Sequence, residues 1–134
     1  MLRGFCAVLT TGVLLASSAF AMEPDECDLP SNVEISACMS ALYKKADADL
    51  NAVYKRALAS IDEADYMDAG EREKWTTSFR DAQRAWVTFK DADCGELIFF
   101  EWWGGSGAGI ASLDCQIDAT RIRTLDLKSR YRID

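Results

Sequence analysis

Four cysteines, Cys27, Cys38, Cys94 and Cys115, stand far apart among helical apolar repeats, not in the close Cys-x-x-Cys pairs of a typical zinc site. What they can form depends on the compartment, and the first 21 residues indicate export. Arg3 gives a positive start, Phe5 to Leu15 is a short apolar stretch, and Ala19-Phe20-Ala21 is a small-residue processing site. The apolar stretch is too short for a bilayer-spanning helix and Ser17 and Ser18 soon follow it. Residues 1–21 therefore read as a signal peptide that carries off the fifth cysteine, Cys6, and residues 22–134 as one soluble periplasmic or secreted domain. Met22, not a cysteine, follows the processing site, so neither lipid anchoring nor membrane insertion after cleavage is expected. In an oxidising compartment the four remaining cysteines predict a disulfide frame, with zinc coordination as the alternative.

The charge balance narrows the partner. The chain has 15 basic residues, 22 acidic residues and no histidine, for a net charge of −7, and loss of Arg3 with the signal makes it more acidic still. Tracking a phosphate backbone requires clustered Lys and Arg, so nucleic acid is excluded and a cationic protein fits better. With no histidine, no nucleophile–base motif and no phosphate-cradling loop before a helix, neither catalytic residues nor a cofactor nor a metal is expected. Glu96 and Glu101 could form an acid–base pair, but nothing in the sequence sets their separation, and a hydrolase is the least supported class.

Apolar residues recur at Ile35, Cys38, Leu42, Ala46, Leu50, Val53, Ala57, Leu58 and Ile61, the three-four spacing of one long helix from Ser31 to about Glu63. Ser31 with Glu34 three residues later predicts a reciprocal capping box at its start. Asp62, Glu63, Asp65, Asp68 and Gly70 end it, since acids near a helix C-terminus oppose its dipole. A second, antiparallel helix is expected from about Glu71 to beyond Phe89, with Trp75, Phe79, Ala82, Trp86 and Phe89 on its inner stripe. A third runs from about Ile110 to Arg130, with Leu113, Ile117, Thr120, Thr124 and Leu127 inward. Between them, four glycines in the six residues from Gly104 to Gly109 predict a flexible or sharply turned loop. The predicted fold is all-α, an antiparallel bundle of three or four helices tied by two disulfides at one end. Cys27 with Cys38 and Cys94 with Cys115 are the favoured pairs because each closes a short loop, although Cys38 with Cys94 is geometrically open.

Two groups of residues stand out as candidate sites. Glu101, Trp102, Trp103, Gly104, Gly105 and Ser106 form a glycine-flexed aromatic loop suited to gripping a protein partner, or else a cap on the core near the disulfides. Asp47 and Asn51 lie beside the apolar stripe of the first helix, where Arg84 and Arg123 could meet them in a semi-buried polar network that fixes register. The acidic run from Asp62 to Glu73 is a solvated connection that could also steer a cationic partner.

Several of these residues fall into ordered blocks: Ala46-Asp47-x-x-Leu50-Asn51-x-x-Tyr54 after Cys38; Ala82-Gln83-Arg84-x-Trp86-x-x-Phe89-x-x-Ala92-x-Cys94; Gly104-Gly105-Ser106; and Thr120-x-x-Arg123-x-x-x-Leu127 after Cys115. In that order, and over nearly all of residues 22–134, the chain resembles the lysozyme inhibitor LprI N-terminal domain family. The resemblance implies an exported α-helical domain and, for at least some members, inhibition of lysozyme, a basic protein partner. Two departures accompany it: the namesake is similar to a lipoprotein, whereas the lipidation cysteine is missing here, and no second domain is expected. The alternative function is a structural or adaptor module that binds another protein of the cell envelope.

Overall fold

The computed structural model describes residues 27–134; the signal peptide, with its expected cleavage after Ala21, lies outside the described residues. Four α-helices follow one another: α1 (Asn32–Asp62), α2 (Ala69–Ala92), α3 (Ile98–Glu101) and α4 (Ala108–Tyr131), with a π-helical turn (Asp93–Leu97) between α2 and α3. Three are long and α3 is a single turn, and no strand occurs among the described residues. The all-α bundle expected from the sequence is therefore present.

Helix α1 begins where Ser31 Oγ accepts the Glu34 N–H at 3.3 Å. The reciprocal half of the box differs from expectation: the Glu34 carboxylate accepts from the Ser31 hydroxyl at 2.7 Å. The complete capping box lies at α2 instead. Asp68 Oδ1 accepts from Glu71 N at 2.9 Å and Glu71 Oε2 accepts from Asp68 N at 3.0 Å, so α2 starts at Ala69, earlier than the acidic run suggested. Arg72 tightens the same connection by donating to the carbonyls of Ala64 and Met67.

Two apolar clusters fix the directions of the helices. At one end Cys27, Met39 and Ile117 are buried with Ile35, Leu42, Ile110 and Leu113 packed against them. At the other, Leu50, Val53, Ala57 and Ile61 of α1 meet Leu127 and Ile133 from the end of the chain and Phe79 of α2. The first half of α1 thus faces the first half of α4, and second faces second, which makes these two helices parallel. Helix α2 returns antiparallel between their ends, its Phe79 ring stacked 5.1 Å from Tyr54. Ala57 is wholly buried and Ala46 nearly so, small side chains on the face of α1 that lies in the core. Arg132 adopts a left-handed φ of 50° that ends α4 and folds Ile133 back into the core.

The inner stripe of α2 differs from the expected one. Ala82 and Phe89 are exposed, and the inward positions continue from Phe79 through Gln83 and Trp86 to Lys90. Both series satisfy a three-four spacing; the one observed places two polar side chains inside, where each finds partners.

Both favoured disulfides are formed: Cys27 with Cys38, 11 residues apart, and Cys94 with Cys115, 21 apart. They lie at the same end of the bundle, at the start of α1, the end of α2 and the start of α4. Replacing Cys94 and Cys115 together by Ser should cost about 3 kcal/mol through the freed unfolded chain. Thermal unfolding followed by circular dichroism measures this, and an unchanged midpoint would show that packing alone holds the end closed.

Candidate functional site

After Lys90 the chain must leave α2 and reverse into α4, and this reversal builds the aromatic segment. Gly95 has non-helical angles (φ −93°, ψ −108°) inside the π-helical turn. The Cys94 carbonyl there is taken by the buried Ser112 hydroxyl of α4 at 2.6 Å, so a hydrogen bond and the Cys94–Cys115 bridge hold the same point. Helix α3 then gives way to consecutive tight turns: Trp103 N donates to Phe100 O at 3.0 Å, Gly104 N to Phe99 O at 3.0 Å, and Gly105 N to Trp102 O at 2.9 Å. The glycine loop is sharply turned and internally bonded.

The two tryptophans part company here. A methyl group built on Gly107 would fall 2.5 Å from Trp102 Cζ3, so the Trp102 indole lies against the bare backbone of Gly107 and braces the turn, although half its surface remains exposed. Trp103 is 95% exposed at a φ of +52°, with Gly104 following at +68°. A bulky residue in that conformation is uncommon and costs free energy, as functional positions often do. Phe100, 71% exposed, and the partly exposed Leu97 and Phe99 lie on the same short segment. Glu101, Gly104, Gly105 and Ser106 are exposed around it, as is Glu96.

The polar candidates divide into three sets. Asn51 Nδ2 donates to both the side chain and the carbonyl of Asp47 at 2.9 Å, on the exposed side of α1. Arg84 pairs with Asp81 on its own helix. Arg123 reaches across from α4 to Gln83 Oε1 at 3.0 Å, pairs with Asp126 at 2.8 Å, and sits 5.9 Å from the centre of the Trp86 ring. Among the described residues no hydrogen bond or ion pair joins Asp47 or Asn51 to either arginine, because Gln83, not Arg84, occupies the inward position of α2. Asp47, Asn51 and Arg84 nevertheless line one open groove of about 610 Å³ between α1 and α2.

Lys90, only 5% exposed, escaped the sequence reading, although the spacing Phe79, Gln83, Trp86, Lys90 held the clue. Its ammonium donates to Tyr43 OH at 2.9 Å and Asp91 Oδ1 at 2.7 Å. Burial pushes its pKa down, but the hydrogen bonds to Asp91 and Tyr43 outweigh burial and hold the pKa above the usual lysine value. One residue trio offers metal-ligand atoms within 4.8 Å, Asp93 with Cys94 and Cys115, but both sulfurs are committed to the disulfide. No helix among the described residues is long and apolar enough to cross a membrane.

The acidic run from Asp62 to Glu73 lies at the end of the bundle opposite Trp103. The part of α2 beyond Glu73 alone separates them by roughly 28 Å at 1.5 Å per residue, well beyond the screening length of about 8 Å at physiological salt. Glu96 and Glu101 are exposed carboxylates on the same aromatic reversal between α2 and α4, the Trp103 hinge, as Trp103 itself.

Two outcomes follow. Gly107→Ala should cost about 1–3 kcal/mol by driving the Trp102 ring off its seat, whereas Trp103→Ala should stay within about 0.5 kcal/mol of wild type; equal effects on the unfolding midpoint would contradict the division of roles. A raised folded-state pKa for Lys90 means that its contribution is complete below the unfolded value near pH 10.4 and is lost as pH rises through the folded value. The stability of wild type relative to Lys90→Met should therefore be flat through neutral pH and fall above about pH 10, and a decline beginning near neutrality would refute the arrangement.

Comparisons with known proteins place the sequence in a family. A family profile described as "Lysozyme inhibitor LprI" matches residues 27–127, from the first described cysteine nearly to the end of α4. An uncharacterized protein of Rhizobium meliloti (strain 1021) is 34% identical over 113 residues, covering 79% of this chain and 78% of the relative. No solved structure matches. With three quarters of its length inside the profile, the chain belongs to the lysozyme inhibitor LprI family.

Proposed function

We propose that this domain is an exported protein that binds and inhibits lysozyme, with the Trp103 hinge inserted into the enzyme's sugar-binding cleft. The observation that carries the reading is Trp103 itself, almost fully exposed on a turn that a disulfide and a chain of backbone hydrogen bonds hold in place. Isolated exposed apolar residues are ordinary, but an exposed Trp beside an exposed Phe on a preorganised turn is the composition of a binding hot spot. Preorganisation matters because a turn already ordered loses little conformational freedom on binding. Family membership supports lysozyme as the partner, and the net charge of −7 suits a basic enzyme.

An assay of lysozyme activity with the purified, oxidised protein tests this directly. Trp103→Ala should weaken inhibition about 30-fold, the equivalent of about 2 kcal/mol for a hot-spot residue, mainly through faster dissociation. Glu96→Gln with Glu101→Gln should slow association and flatten its salt dependence, while the same change at Asp62 and Glu63, at the far end, should alter neither. Lysozyme left fully active by an excess of folded protein would end the inhibitor reading. In that event, retention of a resident envelope protein on the immobilised domain would favour the adaptor role.

A further inference from the structure

The groove between α1 and α2 lies apart from the Trp103 hinge and has no part in the lysozyme reading. Its walls combine three aromatic residues with side chains of both hydrogen-bonding senses: Tyr43, Asp47, Asn51 and Tyr54 from α1, Arg84 and Trp86 from α2. Trp86 is held from the α4 side by Arg123, and Tyr43 by the buried Lys90. These aromatics are therefore fixed in position while lining an open, solvent-facing groove.

The chemistry of the lining selects the ligand class. Arg84 is paired with Asp81, which lies outside the lining, and Lys90 with Asp91 within it, which leaves one carboxylate, Asp47, and one cation, Arg80, among the lining residues. A phosphate-bearing ligand would require an excess of unpaired cations and a polyamine an excess of unpaired acids; with these pairs formed the groove offers neither. A purely apolar ligand would strip water from Asp47 and Arg84 without replacing its hydrogen bonds. What remains is a neutral molecule with an apolar face for the aromatic rings and a fringe of groups that both donate and accept. Asn51 spends its amide hydrogens on Asp47, which fixes the pair and leaves the Asn51 carbonyl oxygen and the second Asp47 oxygen as acceptors, while Arg84 supplies donors. Hexopyranose rings have this form, with C–H groups on the faces and hydroxyls at the rim. At about 610 Å³ the groove is ample for more than one ring.

We infer that the α1–α2 groove is a saccharide-binding site, in which Tyr43, Tyr54 and Trp86 pack on sugar faces while Asp47, Asn51 and Arg84 bond the hydroxyls. The site is separate from Trp103, so one molecule can hold a glycan and a protein partner at once.

Calorimetric titration of the intact protein with cellotriose and with tri-N-acetylchitotriose, in the absence of lysozyme, tests the inference. At least one should bind and perturb the Trp86 indole and Asn51 side-chain NMR signals. Asn51→Ala should weaken binding about tenfold, the loss of roughly one hydrogen bond's worth of free energy. Arg84→Gln, an exposed change that preserves the helix, should weaken it similarly, and Trp103→Ala should leave it unchanged. Absence of heat and of shifts with both sugars at about 10 mM, weaker than any useful affinity on the millimolar scale, would overturn the inference. So would binding unaffected by the folded Arg84→Gln variant, or inorganic phosphate or spermidine occupying the groove where the sugars do not. Because no lysozyme is present, failure here leaves the inhibitor reading standing, and success does not rescue it.

Discussion

The parallel pairing of α1 with α4 is the constraint on which the rest of the molecule depends. Two helices that run the same way cannot be joined by a short turn, so the chain must return along the bundle, and α2 is that return. It follows that α2 ends where α4 begins. The reversal takes place at the disulfide end, over residues 93–107, and it generates the π-helical turn, the single turn of α3 and the exposed aromatic segment together. Gly95 leaves the helical path, Ser112 satisfies the carbonyl nearby, and the Cys94–Cys115 bridge prevents the reversal from unwinding.

Because the core is built chiefly from α1 and α4, α2 is joined to it by fewer apolar contacts. Phe79 is its one buried hydrophobic residue, flanked by the partly buried Trp75 and Trp86. The other buried side chain is Lys90, bonded to Tyr43 of α1. Polar tethers of this kind do not close the space between two helices as a continuous apolar seam would, and the groove between α1 and α2 is the result. Gln83 with Arg123 performs the same service toward α4.

Most of the fold was legible in the sequence because α1 and α4 follow their periodicities without interruption, and because each disulfide closes a short loop. Helix α2 was harder to read. Trp75, Phe79, Trp86 and Phe89 offer an apolar stripe that hydrophobicity alone prefers, while the true stripe turns from Trp86 to Lys90 and leaves Phe89 62% exposed. A lysine becomes an inward residue only when an acceptor waits across the interface, and Tyr43 lies 47 positions earlier, beyond the reach of local pattern. For the same reason Arg123 met Gln83 and not Asp47. At the hinge, the glycines announced a turn, but which tryptophan would brace it depended on Gly107 accepting the Trp102 ring, a contact that no spacing rule encodes.

The placement of charge follows from the same topology. In the linear sequence the acidic run from Asp62 to Glu73 and the Trp102-Trp103 pair look like two halves of one binding device. The fold sends them to opposite ends, and part of the acidic run is already committed: Asp68 and Glu71 cap α2, and Arg72, directly after Glu71, binds backbone carbonyls. A cap acts on the first turn of its own helix, and an exposed carboxylate acts on a partner only within about a Debye length. The acidic run therefore belongs to the stability of the α1–α2 connection, while any local steering toward the hinge falls to carboxylates at the disulfide end, Glu96 and Glu101 among them. Two features that differ in sequence by some thirty residues are thus separated in function by the same return helix that brings the disulfides together.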